Sequence, residues 1–314
     1  MTMQSTVIGI DVAKDSLSLY RADLEQAREL INEPHAIATW LKSLPAGCSL
    51  AIEATNTYHV AVATLAHKRG HRVYVIDGYR LSNYRKGIGG RVKNDLSDAR
   101  LLARYLAHEQ KQLHPWAPPS RLYRKLQALL HRRATLVRVT TALRLSFAQD
   151  RQLAEALKPV LQQMKDLERT LNRALQSTLK EAGLSAQAQR CQEIEGVGPI
   201  TAAALNLAFL RGTFRSSDAF IAFLGLDVRV RESGRYIGRR KLTKQGDPEI
   251  RRLLHNAAMA ASRTAAWKER YQAYLQRGLK KTEALTILAR KLARIAFALM
   301  TSQQPYRHRD ATAG

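Results

Sequence analysis

The run Val7-Ile8-Gly9-Ile10-Asp11 constrains this chain more than any other stretch. It is short, apolar and β-branched, and it ends on a carboxylate. A strand buried on both faces reads in this way, and the carboxyl ends of such strands are where open α/β sheets bind ligands. Ser49-Leu50-Ala51-Ile52-Glu53 repeats the pattern, so two strands would each deliver an acid to one edge of a sheet. An Asp just past a strand is also a common turn residue, and Asp11 alone would not exclude that role.

The segments that follow keep to the α/β theme. Leu17-Ser18-Leu19-Tyr20 alternates as a second strand, and 36–44 has helical spacing beyond a charged stretch. Residues 57–68 read as a helix closed by Gly70, and 72–77 as another buried strand. Strands alternating with helices predict a largely parallel sheet. The stretch 84–91, rich in Gly and basic residues, reads as a loop. From Asp95 to His108 the apolar residues return to helical spacing, which places Asp95 and Asp98 on one face of a first turn. Acids there also serve as helix caps, so capping is the alternative role for this pair.

Pro115 to Pro119 interrupts the chain. Beyond it, leucines at near-heptad spacing predict two long helices with a coiled-coil-like seam, and Pro159 predicts a kink or a fresh start in the second. Such a seam needs a partner helix, from the same chain or from a second protomer. At Ile194-Glu195-Gly196-Val197-Gly198-Pro199 a Gly-x-Gly turn before an Ala-rich helix resembles a helix-hairpin-helix element, whose backbone N–H groups can hold a phosphate. Residues 229–252 are dense in Lys and Arg around Ser233-Gly234. Ser216 and Ser217 read as the N-cap of a helix near 219–223. Two amphipathic helices close the chain before a tail from residue 303.

Composition decides the class of partner. Fifty-one Lys and Arg face 26 Asp and Glu, a net charge of +25, nearly all of it beyond Lys111. Such a field draws polyanions through counterion release, and nucleic acid is the expected partner. No Trp-rich or Phe-rich basic anchor for a membrane surface is present, and no apolar run is long enough to span a bilayer. Only Cys48 and Cys191 occur, too few for a disulfide framework, so a cytoplasmic protein without export signal is expected.

Asp11, Glu53, Asp95 and Asp98 come from two strand ends and one helix start. Carboxylates gathered in a poorly solvated site repel one another unless cations neutralise them. Hard oxygen donors favour Mg²⁺ or Mn²⁺ over Zn²⁺, and two such ions about 4 Å apart suit phosphodiester chemistry. His67 and His71 read as a solvated helix end rather than a zinc site.

Gly9-Ile10-Asp11-Val12-Ala13-Lys14, Ile52-Glu53-Ala54-Thr55 and Asn94-Asp95-Leu96-Ser97-Asp98-Ala99 resemble the DEDD-type transposases of bacterial insertion sequences. Further on, Gly196-Val197-Gly198-Pro199, Phe223-Leu224-Gly225-Leu226, Glu232-Ser233-Gly234, and Lys244-Gln245-Gly246-Asp247 with Arg251 are similar to that family's C-terminal transposase domain. The resemblance runs along nearly the whole chain in the family's motif order. It implies an α/β RuvC-like (RNase H-like) domain over 1–114, a helical coiled-coil-like dimerisation arm over 115–187, and a mainly α C-terminal transposase domain over 188–302 with a short basic β segment, then a flexible tail over 303–314.

The same resemblance implies a DNA recombinase guided by an element-encoded bridge or seek RNA, acting through Mg²⁺ or Mn²⁺ on Asp11, Glu53, Asp95 and Asp98, with Ser233 as nucleophile in a covalent phosphoserine link to DNA. Implied partners are donor and target DNA, the guide RNA and a second copy of the chain, with a tetramer in the synaptic complex as the larger alternative; the implied location is the bacterial nucleoid. Gly196, Gly198, Arg235, Arg239, Arg240, Lys241, Lys244 and Arg251 are the expected nucleic-acid contacts. Two other readings fit the residues: a RuvC-like junction nuclease that hydrolyses DNA with metal-bound water, and a non-enzymatic nucleic-acid-binding protein.

Overall fold

A computed structural model describes residues 6–89, 94–229, 232–233, 236–238 and 240–307. The chain divides into two compact units, residues 1–118 and 119–314.

In the first unit, β1 (Val7–Val12), β2 (Ser16–Arg21) and β3 (Gln26–Ile31) form an antiparallel meander. After α1 (Pro34–Lys42), β4 (Ser49–Glu53) joins β1 in parallel. After α2 (His59–Lys68), β5 (Arg72–Ile76) extends the sheet beyond β4. Helices α3 (Gly78–Gly87) and α4 (Asp95–Glu109) complete the unit, and the strand order is β3-β2-β1-β4-β5. The sheet is thus mixed, parallel in β1, β4 and β5.

The period-two alternation of each strand feeds two cores. Ile8, Ile10, Leu50, Ile52 and Val73 face α1 and α2, where Ile37, Trp40, Leu41, Val62 and Ala66 cover them. Ala51, Tyr74 and Ile76 face the other way and pack with Leu81, Leu101, Leu102 and Leu106 of α3 and α4. The edge strand β3 is almost wholly exposed and carries Arg28 and Glu29. Charge on an edge strand discourages pairing with another chain.

Gly9 sets the distance between β1 and α4. A Cβ there would lie 1.8 Å from the Ala99 carbonyl oxygen and 2.7 Å from the Ala103 nitrogen. Only glycine lets the two backbones meet, and Ala99 and Ala103 keep the facing side of α4 flat. Gly9→Ala would force α4 away from the sheet. We expect it to lower the unfolding free energy by about 3 kcal/mol or more, a cost typical of severe overpacking, measured by denaturant unfolding of the purified chain.

The second unit opens with α5 (Arg121–Ser146) and α6 (Arg151–Glu181). Lys125 bridges to Glu181 (2.7 Å), Arg133 bonds Asn172 (2.8 Å) and Glu168, and Thr140 reaches Met164 (3.4 Å). This falling register makes the pair an antiparallel hairpin, so the leucine seam finds a partner within its own chain. Pro159 lies inside α6, which continues through it rather than starting afresh. Leu126, Leu130, Leu175 and Leu179, at the base of the hairpin, are buried in the core of the second unit. Leu145, Leu153 and Leu167, farther out, stay exposed.

That core is completed by α7 (Ser185–Gln192), α8 (Pro199–Leu210) and α9 (Ser217–Phe223), with Ser216 as the N-cap of α9. Four two-residue strands follow: β6 (Val228–Arg229), β7 (Glu232–Ser233), β8 (Tyr236–Ile237) and β9 (Lys241–Leu242). β6 pairs with β9 and β7 with β8. Finally α10 (Pro248–Ala261), α11 (Ala265–Gln276) and α12 (Lys281–Ser302) pack into the same core. The stretch expected as a free tail is fastened at Tyr306, whose hydroxyl donates to Glu195 at 2.9 Å and whose backbone N–H donates to Glu193 at 3.1 Å.

Three local expectations need correction. The charged stretch after β2 contains β3, whose exposure hid its strand pattern. Residues 84–87, expected as loop, are the last turn of α3, which Asp77 caps by accepting from the N–H groups of Tyr79 and Arg80. His71 is buried rather than solvated, and burial lowers its pKa.

Candidate active site

Asp11 and Glu53 occupy alternation positions facing α3 and α4, opposite the side taken by Ile10 and Ile52. Both are half-buried, and the parallel pairing of β1 with β4 brings them to the same edge. Gly78, the first residue of α3, leaves room for Glu53: a Cβ at that position would sit 2.7 Å from its Oε1.

Asp95 and Asp98 enter from α4. The helix is capped by Asn94, which accepts from the Ser97 N–H at 2.8 Å while Ser97 Oγ accepts from the Asn94 N–H at 2.9 Å. With a full capping box in place, neither Asp is needed for capping. Asp98 is buried beside Ala99, whose carbonyl lies against Gly9, so the close approach of α4 to β1 carries this acid towards Asp11.

The electrostatic result is concentrated on Asp11. Burial, followed by the negative charges of Glu53, Asp98 and Asp95, raises its pKa to about 6, against an opposing hydrogen bond of 3.0 Å from the Val12 N–H. The other three sequence-predicted acids therefore all act on Asp11. Asp11 and Glu53 are half-buried, Asp98 is buried and Asp95 is exposed, and carboxylates are the donor type that hard divalent cations prefer.

The geometry is not that of a closed cage. Among the described residues no group of three or more His, Cys, Asp or Glu is gathered tightly enough to hold an ion. Asp98 is instead engaged by the guanidinium of Arg85 from α3, both side chains being largely buried. Arg85 is masked in the sequence by its Gly- and Lys-rich neighbours; the signals that mark it are its helical spacing from Leu81 and the Asp77 cap. The donor types fit Mg²⁺ or Mn²⁺, with one oxygen of Asp98 engaged by Arg85.

In the second unit Ser233 is exposed and stands at the end of β7, paired in register with Tyr236. Arg235 and Arg239 lie outside the described residues. Arg240, Lys241 and Lys244 are exposed. Arg251 has a different setting: its Nη1 donates to the carbonyls of Gly246 (2.7 Å) and Leu224 (3.4 Å). Gly225 and Gly246 make that junction possible, because a Cβ on Gly246 would lie 2.5 Å from the Phe223 carbonyl oxygen. The Phe223–Leu226 and Lys244–Asp247 motifs thus pack on each other, clamped by Arg251.

The turn between α7 and α8 has two distinct glycines. Gly196 has φ of +81°, and a Cβ there would meet the Ala257 carbonyl at 2.3 Å, so it packs against α10. Gly198, the N-cap of α8, has open space around it.

Comparison with known proteins agrees with this layout. Residues 8–160 match the DEDD transposase profile of IS110-type elements, and residues 188–272 match the Transposase IS116/IS110/IS902 family profile. A pilin gene-inverting protein of Moraxella bovis is 28% identical over 97% of this chain and 98% of its own length. A protein called "Probable family 20 transposase" from Pseudomonas aeruginosa is 27% identical over 97% of this chain and 99% of its own. T. thermophilus RuvC in complex with a Holliday junction substrate aligns with a TM-score of 0.28 and 16% identity, over 36% of this chain and 100% of that one, a likeness too slight to define the fold, which rests on the strand order itself. The two profiles follow one another along most of the sequence, the first over the unit that holds the four acids and the second over the segment that holds Ser233. The chain belongs to the IS116/IS110/IS902 family of transposases.

Proposed function

We propose that this chain is a site-specific DNA recombinase that breaks and rejoins DNA through a phosphoserine intermediate at Ser233, directed by an RNA of its own element. The observation that carries the DNA-cleaving part is the convergence of Glu53, Asp98 and Asp95 on half-buried Asp11, where burial first and then these charges lift its pKa to about 6. A protein that only bound polyanions would gain nothing from four acids, which repel phosphate. The +25 charge supports the choice of nucleic acid as substrate.

Asp11, Glu53, Asp95 and Asp98 would hold Mg²⁺ or Mn²⁺. Such ions supply charge neutralisation and polarisation of a phosphoryl oxygen when bound. Ser233 Oγ forms a bond to the scissile phosphorus as the bond from phosphorus to a deoxyribose oxygen breaks. The serine proton passes to solvent, and the departing oxygen takes up a proton as a sugar hydroxyl. A hydroxyl of the recipient strand later displaces Ser233 in the reverse exchange, so one phosphodiester is traded for another without external energy. Serine is a weak nucleophile unless activated, and the Lys and Arg residues concentrated in the same stretch of sequence, 229–252, would favour a charged transition state if they reach it. The apolar residues left exposed on the hairpin, Leu145, Leu153 and Leu167, support pairing with a second copy.

The test is a strand-transfer reaction with purified chain, labelled donor and target DNA, and the element's flanking RNA. A denaturation-resistant protein–DNA adduct is expected with RNA and Mg²⁺ together, and none after chelation. An adduct formed equally well without RNA would remove guidance from the reading and leave the recombinase chemistry in place.

A further inference from the structure

The second unit contains a cavity of about 500 Å³ that none of the chemistry above uses. It lies between α11, α12 and the segment after α12. Its wall is largely apolar, with Trp267 and Tyr306 set among Ile287, Ile295 and Leu299. Four guanidinium groups, Arg270, Arg290, Arg294 and Arg307, line the same space together with Lys291.

The polar atoms of the wall are unevenly matched. Trp267 Nε1 donates to Glu195 Oε2 at 3.3 Å and the Tyr306 hydroxyl donates to the same oxygen at 2.9 Å, which fixes both rings. Arg294 is paired with Asp218 on an exposed flank. Arg290 is placed less favourably: its Nε is buried and has no hydrogen-bond partner among the described residues, and burial together with the charge of Arg294 lowers its pKa. A buried donor left unmatched is costly, and an anion in the cavity would relieve that cost. The Arg270 guanidinium lies over the Trp267 ring, 5.9 Å from its centroid, so a cation and an aromatic ring stand together at the cavity.

An apolar recess of this size bordered by forked cations matches a ligand with a flat apolar body and an anionic group. A base and its sugar are accommodated by the volume, while a base pair within a duplex is not presented to such a recess. We infer that this cavity binds one unpaired nucleotide of a single strand, with its phosphate on Arg290 and Arg270 and its base against the Trp267–Tyr306 wall. The inference rests on the nucleic-acid reading given above, and adds to it a specific seat for an unstacked nucleotide remote in sequence from both Ser233 and the four acids. DNA and RNA share this chemistry.

The full chain would be titrated with four probes: a DNA pentanucleotide, the same sequence in RNA, a DNA pentanucleotide with its central base removed, and a 20-base-pair duplex. The same series would be run on Arg290→Gln and Arg270→Ala. Base-bearing pentanucleotides should bind roughly tenfold more tightly than the abasic one, a typical stacking contribution, and both variants should lose that preference; the tighter of DNA and RNA names the source. Equal binding of base-bearing and abasic strands would overturn the inference, as would variants that bind like the native chain with an unchanged melting temperature. If Arg290→Gln unfolds, the exposed Arg270→Ala decides alone. Duplex binding without any base preference defeats the cavity while leaving the wider reading intact; loss of all four probes defeats both.

Discussion

Ser233→Ala is expected to abolish the protein–DNA adduct and lower strand transfer by on the order of 10⁶-fold, the scale seen when a nucleophile is deleted from an enzyme. Ser233 is exposed at the end of a two-residue strand, so losing its hydroxyl should change stability by no more than about 0.5 kcal/mol. The measurement is a denaturing gel of labelled DNA after reaction, with melting temperature as the control. Cleavage that persists in Ser233→Ala, with no adduct in either protein, would favour hydrolysis by activated water. The acids would then be a junction nuclease's site and the serine an ordinary turn residue.

Asp11→Asn is expected to lower both cleavage and transfer by on the order of 10³-fold, because an amide neither neutralises nor holds a divalent cation as a carboxylate does. Its effect on stability should have the opposite sign. Burial and the charges of Glu53, Asp98 and Asp95 raise Asp11 from 3.8 to about 6, so the folded chain binds this proton more tightly than the unfolded chain does. Its contribution to stability is therefore fully present below pH 4 and is lost as the pH rises from about 4 through about 6. Above that range the native carboxylate is a liability. The shift alone would correspond to nearly 3 kcal/mol, and solvent contact at this half-buried residue reduces that to about 1 kcal/mol. At pH 7.5 and without divalent metal, Asp11→Asn should therefore melt above the native chain, and the difference should vanish below pH 4. A variant less stable than the native chain at pH 7.5 would show that Asp11 is not under the repulsion described.

The acids were legible in the sequence because each closes, or follows closely on, a recognisable pattern. Asp11 and Glu53 end β-branched runs, and Asp95 and Asp98 sit three apart where a helical period begins. What the sequence could not separate was capping from another role, and the Asn94–Ser97 box makes the cap without Asp95 or Asp98. Arg85 was hidden because glycine and lysine neighbours mask a helix whose propensity is low and whose stability comes from Leu81 in the core. β3 was hidden for the complementary reason: an exposed edge has no buried face to impose alternation. Gly196 and Arg251 show a third limit. Each belongs to a motif associated with nucleic acid, yet Gly196 meets the backbone of α10 and Arg251 holds two carbonyls. Contacts between segments distant in sequence decide such roles, and local pattern carries no record of them.

The Arg251 clamp limits how far Ser233, the proposed nucleophile, can lie from the core. By joining the backbone at Leu224 to that at Gly246, it closes the intervening segment into a loop with both ends anchored on the core. Ser233 stands nine residues from the anchor at Leu224, and a fully extended chain covers about 3.3–3.6 Å per residue. The hydroxyl is thus tethered within a sphere of roughly 30 Å about the clamp, whatever path the loop takes. Within that sphere it can meet a phosphate at high effective concentration; beyond it, DNA must be brought to the serine.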